Sequence, residues 1–427
     1  MPRNPSCHRY SARTPIRFHA PRLLSLRLRR SHSSSPFGVS SQRLLSGRSP
    51  QILLAVARSA RLLVVNTDQV PNLTYATGLF VPDSFAWCQT PSGKTHLLIS
   101  PLEIDRARRE ATVDHCHDLS QEEKHLPKKN PSYATILASF LRRHGVRSAQ
   151  VPAEFPLGLA RSLTQAGLTL HPTAEPFFPS RIKKTPLEIA HITQSIRAAE
   201  AGLARAVEVL QATKIRRNKT LFWSNSPLTS ERLRIEMEVA CLRHGALARD
   251  TIVAGGNQAC DPHERGHGPL WADQAIILDI FPRSGNTGFF GDITRTVVKG
   301  RAPEPLRHLR DTVVRGQKRV LQQTRALANG AKIQTELRTW FQNQGYPTEL
   351  QKGRWTGFFH GVGHGLGLEI HEAPRYATPS LPLSTVVTVE PGLYVPGIGG
   401  IRIEDVVLIR KGAPKKLTRF PNVWEIR

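Results

Sequence analysis

The sequence predicts an α+β protein, with helices packed on one face of a curved antiparallel sheet and a smaller α/β domain ahead of it. Length is the first observation: 427 residues exceed one ordinary hydrophobic core. The second is patterning. Strand and helix signals alternate at close spacing over residues 59–180, whereas from 181 long helical periods alternate with hairpin-forming β segments. The third is composition: 39% hydrophobic and 22% charged residues suit a soluble globular chain. No run approaches the roughly 18 apolar residues that span a bilayer, which argues against a membrane partner.

The amino terminus stands apart as a basic leader, residues 1–58. Its first 50 residues carry ten arginines, eleven serines and no acid. Those 50 residues thus supply +10 of the net charge of +26. Such a composition is that of an organellar transit peptide, or of an overlong start with the true one near residues 54–60. Pro2, Pro5, Pro15 and Pro21 break any amphipathic helix there, which favours the second reading. The remaining +16 describes a basic surface more readily than a nucleic-acid site. Cysteines 7, 88, 116, 241 and 260 are odd in number and form no Cys-x-x-Cys pair, so free thiols in a reducing compartment are expected. The expected location is cytoplasmic, or organellar if the leader is a transit peptide.

In the first domain Arg61–Asn66, His96–Ser100 and the stretch near Ala149–Pro152 read as strands. Residues 133–144 set Ile136, Leu137, Phe140 and Leu141 on one helical face, and Gly145 stops the helix. The second domain opens with Thr185-Pro186-Leu187-Glu188, a capping threonine followed by proline and a glutamate three residues on. Ile189, Ile192, Ile196, Ala199, Leu203, Val207 and Leu210 then recur every three or four residues. Further helices are predicted from Thr229-Ser230-Glu231 and over Pro305–Leu327, and strands over Ala275–Phe281, Gly291–Val298, Thr385–Glu390 and Ile401–Ile409.

Those strands carry the chemistry. Asp279 closes an apolar run, and Asp292 opens an alternating one that shares a face with Thr294 and Thr296. The turn-rich Pro282–Gly291 between them points both carboxylates at one place. His360, His364 and His371 fall within twelve residues that include four glycines, which let the backbone approach a metal or substrate. Glu390 ends a β-branched run, and Arg402 and Glu404 share a face of the next. Four carboxylates and one imidazole (Asp279, Asp292, His364, Glu390 and Glu404) would repel one another in a core unless cations neutralised them. Two divalent metals are therefore expected. Oxygen-rich ligation with one nitrogen suits Mn, Fe, Co or Zn, and metal-assisted hydrolysis is the reaction class.

Together the segments LDI at Asp279, GDITRT at Asp292, HGVGHGLGLEIHEAP at His364, TVEPGLY at Glu390 and GIRIED at Glu404 resemble the pita-bread metallopeptidases, in the aminopeptidase P and prolidase branch. The resemblance runs from about residue 60 to the carboxyl terminus. It implies a creatinase-like first domain and a pita-bread catalytic domain. Asp279 would hold one metal, His364 and Glu390 the other, with Asp292 and Glu404 bridging and manganese the first choice. Glu390 would accept a proton, His371 and His263 would face the substrate, and His360 and Arg402 would shape the pocket and move protons. The implied reaction is hydrolysis before proline at the amino terminus of short peptides, by an Xaa-Pro aminopeptidase or, alternatively, a dipeptidase, in a homodimer or homotetramer. The two aspartates lie 13 apart, two more than is usual for the family, and Glu264-Arg265-Gly266-His267-Gly268 is a charged variant of the pocket wall. A non-catalytic pita-bread module binding RNA or protein is the reading from another class. The intact donor set counts against it.

Overall fold

The computed structural model describes residues 60–427 other than 66, 68, 69 and 128. The expected leader, with Cys7, lies outside the described residues.

Ala60–Val65 sits between Phe85–Gln89, antiparallel to it, and Ser148–Pro152, parallel to it. Thr95–Ile99 and His115–Asp118 extend the sheet on one side and Thr169–Thr173 on the other, making six strands. Because side chains alternate along a strand, Leu62 and Val64 enter one core and Leu63 enters another on the opposite face. The predicted helix runs over Tyr133–Arg143, capped by Ser132, and buries the four residues of its expected face. Helices Pro71–Thr77, Ile104–Glu110 and Leu157–Gln165 were not predicted. Each is too short to display a period.

The capping box at Thr185 forms as expected, with the Glu188 carboxylate accepting from the Thr185 N–H at 2.7 Å. It starts a 26-residue helix, Pro186–Gln211. That helix and Ser230–Arg243 pack on a sheet ordered Ile252–Gly255, Ile276–Ile280, Ile293–Lys299, Glu425–Ile426. A second sheet is ordered Glu372–Arg375, His364–Gly365, Val386–Val389, Asp405–Leu408, Lys415–Lys416. Helices Glu304–Gln323 and Gly330–Asn343 back it through Val313, Leu337 and Phe341.

Two expectations need correction. The helix predicted over Pro305–Leu327 ends at Gln323, because Thr324 turns to ψ 97° and Leu327 takes φ 67°. The strand predicted over Ile401–Ile409 is two strands. Gly399–Arg402 pairs with Gly392–Val395, whereas Asp405–Leu408 joins the second sheet, and Ile403 and Glu404 make the crossing. Buried Arg295 fastens that crossing, donating to the Glu404 carbonyl and, at 2.9 Å, to the Asp405 carboxylate.

A buried ionic cluster joins residues far apart in the chain. Glu372 accepts from Arg181, at 2.6 Å, and from Lys184, while Arg181 also reaches Asn72. Cys88, Cys241 and Cys260 are buried free thiols and Cys116 is half-buried. No helix among the described residues is long and apolar enough to cross a membrane.

Candidate active site

Asp279 lies opposite Thr294 in the antiparallel pair Ile276–Ile280 and Ile293–Lys299, so both share a face. Asp292 immediately precedes the second strand. The Thr294 hydroxyl donates to Glu404 Oε2 at 2.7 Å, and the Glu404 N–H bonds the Thr294 carbonyl at 3.1 Å, which fixes the crossing residue over the first sheet. Glu390 follows Val386–Val389 and is held by its N–H on the Val362 carbonyl at 2.8 Å.

His364 is placed by its neighbours. A Cβ at Gly363 would stand 2.1 Å from the Thr388 carbonyl oxygen, so only glycine lets the chain pass here. The His364 N–H then bonds the Thr388 hydroxyl at 3.0 Å. Its Nδ1 is 3.1 Å from the Gly365 carbonyl, which can only accept, so Nδ1 carries the proton. The Nε2 lone pair is left facing Glu390 Oε1 at 3.3 Å and Asp292 Oδ2 at 3.7 Å.

The charges confirm how crowded this space is. Burial, and then the carboxylates of Glu404, Asp279 and Glu390, push Asp292 well above the usual range. Burial, with Glu390 and Asp279, does the same to Glu404. Burial pushes Glu390 up to about 7, against the pull of Arg402. His364 falls to about 3, through burial and then His371, so its imidazole is neutral. Donor atoms of Asp292, His364 and Glu404 all lie within 4.8 Å of one another, and buried Glu404 Oε1 has no hydrogen-bond partner. An unpartnered carboxylate oxygen and an imidazole lone pair aimed at one space fit a divalent metal. Asp279 lines the same space, but its Oδ2 accepts from Arg402 at 2.7 Å.

A cavity of about 740 Å³ opens beside these groups, its wall including His263, His371, Phe281 and Arg375. His371 meets the His364 ring edge to face at 4.4 Å. Thus Asp279, Asp292, His364, Glu390, Glu404, His263, His360, His371 and Arg402 all border one cavity, whereas of the wall expected over residues 264–268 only Arg265 lines it. What the sequence did not disclose is Tyr394, the link among the outer ones. His360 Nδ1 is 2.8 Å from the Gly361 carbonyl and so donates. Its Nε2 therefore accepts the Tyr394 hydroxyl proton at 2.8 Å, while that hydroxyl accepts from Arg402 at 2.9 Å. A continuous chain runs His360, Tyr394, Arg402, Asp279. Gly392, opposite Arg402 in the hairpin, makes room: a Cβ there would lie 2.5 Å from the tyrosine oxygen. The alternation Gly392, Tyr394 against Arg402 was the available signal.

Residues 190–411, which hold all five carboxylate and imidazole donors, match metallopeptidase family M24. The chain belongs to that family. The M24 family is one of divalent-metal peptidases, in keeping with the donor set. Among the relatives of this M24 chain, the Xaa-Pro dipeptidase of Pyrococcus furiosus is 31% identical over 252 residues, 56% of this chain and 64% of that protein, just under two thirds of its length. The Xaa-Pro dipeptidase of Pyrococcus horikoshii is 26% identical over 318 residues, 71% of this chain and 81% of that one. In fold, an X-Pro aminopeptidase from Thermotoga maritima superimposes with a TM-score of 0.73 at 22% identity, covering 88% of this chain and 100% of its own. A prolidase from Pyrococcus horikoshii gives 0.71 at 24%, with 87% and 97% covered. The pita-bread architecture expected from the sequence is the fold of this M24 protein.

Proposed function

We propose that this chain is a dinuclear-metal Xaa-Pro aminopeptidase, cleaving the bond before proline at the amino terminus of short peptides. The observation that carries the reading is the convergence of Asp292, Glu404 and Glu390 on the free Nε2 of His364 at the floor of an open cavity. Residues 59–180 would form the creatinase-like domain and 181–427 the catalytic one, in a homodimer or homotetramer. A second reading, Xaa-Pro dipeptidase, is favoured by the names of the two Pyrococcus relatives.

Asp279, Asp292, His364, Glu390 and Glu404 would hold two divalent ions, manganese first among them. Such ions supply Lewis acidity, polarising an amide carbonyl and making water acidic enough to react near neutral pH. The chain's own groups do the rest. Glu390, raised to about 7 by burial, accepts the proton lost by the attacking water and returns it to the leaving nitrogen. His371 and His263, both exposed to the cavity, donate to substrate oxygens as these gain charge. Arg402 donates to Asp279 and holds it in place, and Tyr394 ties that guanidinium to His360.

Hydrolysis of Ala-Pro and Ala-Pro-Ala by metal-stripped protein, with and without added manganese, tests this. Manganese-dependent cleavage of Ala-Pro-Ala supports the aminopeptidase; cleavage of Ala-Pro alone supports the dipeptidase. No cleavage by protein that has bound its metal would overturn both.

A further inference from the structure

Far from the catalytic donors in sequence, a second group of histidines meets at an edge of the six-stranded sheet. Thr95–Ile99 and the edge strand His115–Asp118 are parallel neighbours, with His96 opposite His115 and Leu98 opposite His117. Strand alternation puts His96, His115 and His117 on one face. Helix Tyr133–Arg143 covers that face through Leu137, Phe140 and Leu141, and His144 follows its last turn. His96 Nδ1 is 3.1 Å from His117 Nε2. The His144 ring lies 4.3 Å from that of His96 and 5.1 Å from that of His117.

Packing on Phe140 accounts for rings being here, but not for the direction of their polar atoms. One nitrogen from each of His96, His117 and His144 falls within 4.8 Å of the other two. His117 turns Nε2 into this group while Nδ1 faces the half-buried Glu122 carboxylate at 3.9 Å. A carboxylate behind a histidine ring is the usual support of a metal-ligating imidazole. Arg143, whose charge acts on His117 and His144, is itself paired with Glu122.

We propose that His96, His117 and His144 bind one divalent transition-metal ion of the zinc type, with water or His115 in the fourth position. The imidazoles stand ready for it. Burial, and then neighbouring histidines, hold His96 and His117 down to about 4, so both rings are neutral near neutral pH and a tautomer shift, not net proton loss, frees the shared nitrogens. Half-buried His117 and His144 and exposed His115 give an ion a route from solvent. An all-imidazole set favours Zn, Cu, Ni or Co over manganese, whereas the catalytic donors are chiefly carboxylates, so the two sites separate by metal preference. The ion would pin the edge strand to the helix; its role is structural.

The test uses the full chain and zinc itself, and its deciding readout, zinc stoichiometry, does not depend on whether the protein cleaves peptides. Equilibrium dialysis should find one more equivalent of zinc on the wild type than on His117→Gln or His144→Asn. Both variants should keep manganese-dependent hydrolysis at the wild-type rate. Equal zinc stoichiometry in wild type and folded variants overturns the proposal. Should the variants fail to fold, X-ray absorption of zinc on the Asp292→Asn protein, whose catalytic set is broken, decides. Three imidazole ligands support the site; an oxygen-only shell overturns it.

Discussion

At the scale of single residues, Asp292 and His371 should separate metal binding from turnover. Asp292 is buried among carboxylates and faces the His364 lone pair, so Asp292→Asn should abolish hydrolysis and lower the metal content measured by elemental analysis. His371 touches the His364 ring but stands at the exposed wall, so His371→Ala should keep the metal and lower kcat. Intact turnover in that variant would remove His371 from the mechanism. Tyr394→Phe leaves an Arg402 N–H and the His360 lone pair without a partner in the interior. A loss of roughly tenfold in kcat, about 1.4 kcal/mol, with metal content unchanged is expected. The donors were legible because each ends an apolar run or interrupts a glycine turn, where a charge has no local reason to be. Tyr394 was not, and Thr294 showed only as sharing a face with Asp292, because a tyrosine or threonine in a strand is ordinary until its partner across the fold is known.

At the scale of elements, the bridge His364–Gly365 depends on close backbone passage beside Thr388. Gly363→Ala should destabilise the protein by about 1–3 kcal/mol in urea denaturation and weaken metal binding, since the intruding methyl displaces the bond that aims His364. Gly361→Ala is the control, for nothing lies nearer than 3.9 Å to its Cβ. The long helices were readable from their caps and periods, Pro186–Gln211 above all. Gly330–Asn343 was missed because the apolar pattern runs past Gln323, and the break at Thr324 shows only in its dihedral angles. The split at Ile403 and Glu404 was invisible for a related reason. Alternation continues across it while the pairing partner changes.

For the whole molecule, the sequence carried the α+β class and the order of the donors but not which sheet each strand joins. Val298 and Lys299 pair with Glu425 and Ile426, a contact no local pattern announces. Because donors hang on both sheets, cation binding should stabilise the molecule as a unit. Manganese at a hundred times its Kd should add roughly 2.7 kcal/mol, read as a rise in Tm that Asp292→Asn lacks. The cysteines bear on where such a molecule can work. Burial pushes the Cys88 and Cys241 thiols up to about 12 and Cys260 to about 11. Thiolate is the form that oxidises and exchanges, so at pH 8 a disulfide reagent should label these three only after denaturation. The lack of pairing among all five cysteines reads in the sequence as a mark of a reducing compartment; for these three, burial in separate places already accounts for it, whatever surrounds the molecule.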